Sequence, residues 1–125
     1  MQSSTEFLTP EECAEVDKAL LTSREKFSAR VTIYALRSLK QIAQKNGVAI
    51  TQLEPQQIED WVYQDESLQT GIDSEFRPFF SQLVIASSKP LGQMAQESGV
   101  AIEALTVSQV IVWFEQQAKL NLGKP

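Results

Sequence analysis

The chain repeats itself at an interval of 52 residues. Ala43-Gln44-Lys45-Asn46-Gly47-Val48-Ala49-Ile50 returns as Ala95-Gln96-Glu97-Ser98-Gly99-Val100-Ala101-Ile102. The register holds on both sides: Phe27 matches Phe79, Ile33 matches Ile85, Leu39 matches Leu91, Leu53 matches Leu105, Gln57 matches Gln109 and Trp61 matches Trp113. Sixteen of the 45 positions from Phe27 to Gly71 are identical in the second copy, which is too many for chance. A duplicated segment constrains folding because each copy should build the same supersecondary unit.

That unit reads as helical. Thr9-Pro10-Glu11-Glu12 places Thr at an N-cap, Pro in the first turn and Glu three residues on, a capping box. Thr22-Ser23-Arg24-Glu25 and Thr106-Val107-Ser108-Gln109 follow the same grammar, and Glu54-Pro55-Gln56-Gln57 repeats the proline start. Leu8, Leu53 and Leu105 precede three of these starts and can staple to Cys13, Ile58 and Val110. Gly47 and Gly99 stand where a helix ends on a left-handed residue, each followed by a valine. The unit is therefore a long helix, a glycine stop, a Val-Ala-Ile connector too short for a strand, and a shorter helix carrying tryptophan.

These signals predict one all-α domain over residues 1–125, a small bundle of two tandem helix hairpins, 27–71 and 79–123, behind an N-terminal helix at about 10–21. The expected helices are 10–21, 23–46, 55–68, 75–98 and 107–121, with the first two either separate or one bent helix. Pro90 stands where copy one has Ser38, and a proline inside a helix costs about 3 kcal/mol, so a break is expected between Ser87 and Pro90. Thr70 to Ser74 joins the copies and is the expected flexible point. Phe27, Val31, Tyr34, Ala35, Leu39 and Ile42 fall in one arc of the long helix, a buried face. The paired tryptophans fit core packing better than ligand stacking.

Composition narrows the chemistry. The chain has no histidine, the commonest general base and metal ligand near neutral pH, so Ser-His, Cys-His and Cys/His zinc arrangements are absent. Its five glycines are scattered singly and form no phosphate loop. Cys13 lies among Glu11, Glu12, Glu15 and Asp17, a negative field that disfavours a reactive thiolate, so a structural role is expected. The acidic group Glu59, Asp60, Asp65 and Glu66 lacks the glycine and alternation of a calcium loop and reads as a solvated face. No enzyme, cofactor or metal is expected. The polar start Met1–Thr9 does not read as a secretory signal, no apolar run is long enough to span a membrane, and a lone cysteine suits a reducing, cytoplasmic location.

Differences between the copies mark what the shared fold does not require. From Lys18 to Lys45 the chain carries +6 against −5 overall. Lys26, Arg30, Arg37 and Lys40 form one stripe, replaced in copy two by Pro78, Gln82, Lys89 and Gly92. An exposed basic stripe that binds an anionic partner is the expectation, against a plain solvated face. Glu59 and Asp60 become Ile111 and Val112, which leaves the last helix apolar nearly all round. It is then either central in the bundle or uses Ile111 and Val112 on a protein partner or a second copy.

The segment Ile42-Ala43-Gln44-Lys45-Asn46-Gly47-Val48 between two helices resembles a helix-turn-helix DNA reader, which implies a nucleic-acid-associated regulator as the alternative. The charge of the second helix opposes that reading. A recognition helix needs donors for phosphates and base edges, whereas Pro55 to Glu66 holds four acids and no Lys or Arg. The leading expectation is a non-enzymatic protein-protein interaction or assembly module.

Overall fold

The computed structural model describes residues 8–65, 68 and 75–122. Six α-helices follow one another: α1 Pro10–Asp17, α2 Ser23–Asn46, α3 Pro55–Gln64, α4 Arg77–Ala86, α5 Ser88–Ser98 and α6 Val107–Leu122. Two 3-10 turns, Ile50–Gln52 and Ile102–Ala104, lie before α3 and α6. No strand occurs among the described residues, so the all-α class holds.

The caps do what their sequences dictate. The Thr9 hydroxyl accepts the Glu12 N–H at 3.1 Å while the Glu12 carboxylate accepts the Thr9 N–H at 2.9 Å. Thr22 and Glu25 make the same pair at 3.2 and 2.8 Å, and Thr106 and Gln109 at 3.2 and 2.9 Å. Each such cap contributes about 1 kcal/mol by satisfying donors the helix cannot. At the other ends, Gly47 (φ 66°) and Gly99 (φ 71°) turn left-handed. Val48 and Val100 then donate back to Ala43 and Ala95, each at 3.0 Å.

Two helix ends differ from expectation. The first helix stops at Asp17, not near residue 21, because Thr22 must be extended (φ −70°, ψ 168°) to cap α2; the chain has to leave the helix beforehand. Helix α3 stops at Gln64, not residue 68, since Asp65 is extended and its side chain is bonded to Tyr34. The break expected in the 75–98 segment falls at Ser87, three residues before Pro90, whose ring excludes the carbonyl one turn back. The joint at Thr70 to Ser74 lies outside the described residues, as do Glu66 and Gly71.

Helix α2 is the centre of the molecule. Val31 to Leu36 are six consecutive buried residues, wider than the single arc expected, because α1, α3, α4, α5 and α6 all pack on α2; Thr32 satisfies its hydroxyl by donating to the Ser28 carbonyl at 2.9 Å. The short helix of each copy packs on both long elements: α3 on α2 and α4, α6 on α5 and α2. The two connectors meet where Glu103 accepts the Ile50 N–H at 2.8 Å. Ile50 and Ile102 are both buried in one core with Leu39, Leu91, Leu105 and Val110. Each such side chain contributes about 1.5–3 kcal/mol on burial.

Candidate functional site

The basic stripe does not lie open to solvent as expected; its four side chains are half-buried and engaged with the fold. Lys26 donates to the Asp17 carbonyl at 2.8 Å, and Arg30 pairs with the Asp17 carboxylate at 3.4 Å. Both cations therefore sit at the C-terminal end of α1, where the helix carbonyls favour positive charge. Arg37 donates twice to Glu12, both at 3.2 Å, and its guanidinium lies 5.5 Å from the centre of the Tyr34 ring. Lys40 donates to the Leu105 carbonyl at 2.9 Å. With these donors engaged and no Lys or Arg on α3, the DNA-reader alternative finds no support in the geometry.

The apolar pair on α6 divides. Ile111 belongs to the core at 6% exposure, so its side chain is not available to a partner in the folded chain. Val112 is exposed at 47%. Neighbouring residues on a helix point about 100° apart, which is enough to separate core from surface. The same helix carries Trp113 and Phe114, both half-buried.

These two line an open apolar groove of about 350 Å³ formed by α2, α4, α5 and α6. Phe27, Ser28, Val31 and Thr32 contribute from α2, Leu83, Ala86, Ser87 and Pro90 from the α4–α5 joint. Trp113 and Phe114 meet edge to face with ring centres 5.2 Å apart. Both tryptophans pack against the core, yet each buries its indole N–H without an acceptor among the described residues. No lining residue is ionisable, so the groove offers shape and apolar contact rather than acid-base chemistry.

The sequence repeat relates two core residues to two groove residues. Tyr34 and Phe80 are fully buried, with ring centres 5.3 Å apart, and fill the space between α2 and α4. Shifted by one repeat, these positions are Ala86 and Ser28, which both line the groove. By sequence register, two buried rings thus correspond to an alanine and a serine that are solvent-exposed at the groove. The signal was present in the copy comparison at positions 34/86 and 28/80, but only the packing shows that the two substitutions face a common space.

Asp65, expected on a solvated face, instead accepts the Tyr34 O–H at 2.5 Å. Cys13 is half-buried and packed against the core, consistent with a structural place. No group of acids and cysteine suited to a metal occurs among the described residues. No described helix is long and apolar enough to cross a membrane.

Residues 8–121 match the family model described as NDH complex assembly factor CRR9. No curated protein and no solved structure matches the chain.

Proposed function

Because the chain belongs to the CRR9 family of NDH complex assembly factors, we propose that it acts without catalysis, by holding a protein component of that complex against the groove between α2, α4, α5 and α6. The observation that carries this reading is the groove itself: aromatic side chains, the small residues Ser28 and Ala86, and no ionisable lining residue. Such a surface gains affinity from apolar burial and shape, the ordinary currency of protein association. The ionisable groups that sequence analysis singled out are engaged in structural contacts: Arg37 with Glu12, Lys40 with Leu105 and Asp65 with Tyr34.

The test places a charge in the groove without disturbing the core. Ala86 is solvent-exposed, so Ala86→Arg should keep the helical circular dichroism and melting temperature of the wild type. Expressed in place of the native chain, it should lose co-migration with NDH assembly intermediates and lower the amount of finished complex. Full assembly by a correctly folded Ala86→Arg chain would overturn the assignment of the groove.

A further inference from the structure

A second cleft, of about 310 Å³, lies where α1, α2 and the start of α6 meet, and it shares no lining residue with the groove. On average the α2 residues of the two sites point in nearly opposite directions at 100° per residue. Ile33, Leu36 and Val107 give the cleft an aliphatic lining, while Glu12, Arg37, Lys40 and Gln41 bring polar groups to it. Its charges do not balance. The Glu12 carboxylate is already occupied, accepting the Thr9 N–H at 2.9 Å and two bonds from Arg37 at 3.2 Å. Lys40 has no acid within 4.0 Å among the described residues; it donates to the neutral Leu105 carbonyl at 2.9 Å. An ammonium carries three donors, so that carbonyl uses one and neutralises none of the charge.

Holding the turn before α6 does not require that charge. A neutral donor would serve the Leu105 carbonyl without the cost of half-burying a cation. Nor does the end of α2 call for it, since Lys40 stands six residues before Asn46, outside the last turn in which helix carbonyls favour cations. A cation beside an aliphatic lining matches a carboxylate on a methylene stem. We propose that the cleft takes a glutamate side chain of a partner polypeptide, its carboxylate on Lys40 Nζ and the Gln41 amide, its methylenes against Ile33, Leu36 and Val107. A free anion is the poorer match: the net charge of −5 repels it at long range, whereas a glutamate is brought in by the rest of its polypeptide. Nucleic acid would find one surplus cation and no aromatic ring in the lining. Because the cleft and the groove have no residue in common, the two assignments stand or fall separately.

The test is a methyl NMR titration of the full chain with the capped peptide acetyl-Ala-Glu-Ala-amide, its glutamine counterpart and inorganic phosphate. The glutamate peptide should shift the methyl signals of Ile33, Leu36 and Val107. It should bind about tenfold more tightly than the glutamine peptide, the effect of one charge-assisted hydrogen bond. Lys40→Met should erase that preference and leave the weaker glutamine-peptide binding unchanged, whereas Lys40→Arg, which keeps the charge, should retain most of it. Gln41 is exposed, so Gln41→Glu should fold as the wild type does and also remove the preference, by repulsion. Silence of the three methyls up to about 10 mM glutamate peptide overturns the proposal. So does equal binding of the two peptides, or a preference that survives both Lys40→Met and Gln41→Glu. Phosphate that displaces the glutamate peptide at equal concentration would make the cleft a free-anion site and overturn it too. Failure here while Ala86→Arg still blocks NDH co-migration would leave the groove assignment in place; the opposite pattern would remove the groove and keep the cleft.

Discussion

The hydroxyl of Tyr34, in the middle of the central helix, donates a 2.5 Å hydrogen bond to Oδ2 of Asp65 just past the end of α3. Burial first, and the adjacent Asp65 carboxylate second, push the Tyr34 hydroxyl well above its usual 10.0; contacts with Ser38 and Arg37 pull weakly the other way. The sign follows from linkage. Above pH 10 the unfolded chain releases the Tyr34 proton and the folded chain retains it, so stability present below pH 10 is lost as pH rises beyond it. Urea unfolding between pH 8 and 11.5 should show this alkaline decline, and Tyr34→Phe should flatten it. At pH 7 the same change should cost about 1–3 kcal/mol, because the carboxylate loses a donor in a partly buried place.

Arg37 holds α1 onto α2 through Glu12 and covers one face of Tyr34. Its partner side chain is only 12% exposed, so this is not a surface ion pair of the usual small worth. Arg37→Ala should cost about 1.5–3 kcal/mol of stability. Hydrogen exchange should localise the damage to α1 and the first half of α2. Arg37→Lys should recover only part, since an ammonium cannot reproduce the two-nitrogen contact. Equal stability of Arg37→Ala and wild type would show that α1 is held by its apolar residues alone.

Three glycines should respond with opposite signs. Gly47 and Gly99 have positive φ and open space around them, so replacement by alanine meets no clash but suffers the left-handed penalty, about 1–2 kcal/mol at each. Gly92 is inside α5, with no positive φ and room for a methyl group. Gly92→Ala should therefore stabilise by about 0.5–1 kcal/mol. Thermal melts of the three single variants decide the matter.

The groove should be fillable from within. Ala86→Tyr together with Ser28→Phe restores on this side the two residue types that pack on the other. The double variant should gain stability by about 1 kcal/mol, the usual yield of filling a cavity. It should at the same time lose NDH co-migration, because the larger side chains obstruct the groove. A variant that is more stable and still fully active in assembly would show that the groove is only a packing defect.

Much of the local structure was legible in the chain. Thr9, Thr22 and Thr106 announce helix starts, Gly47 and Gly99 announce stops, and Pro90 announces a break, because capping and φ limits act between residues a few positions apart. The duplication likewise made an all-helical domain the expected answer. Tertiary packing decided the rest, since burial depends on which helices surround a face. It placed α2 rather than α6 at the centre, turned Lys26, Arg30, Arg37 and Lys40 inward onto α1 and the turn before α6, and separated buried Ile111 from exposed Val112. It also made a groove from Ser28 and Ala86, which are 58 residues apart in the chain. The sequence records that two aromatic positions became small in the other copy; only the approach of α2 to α4 converts two separate small residues into one shared space.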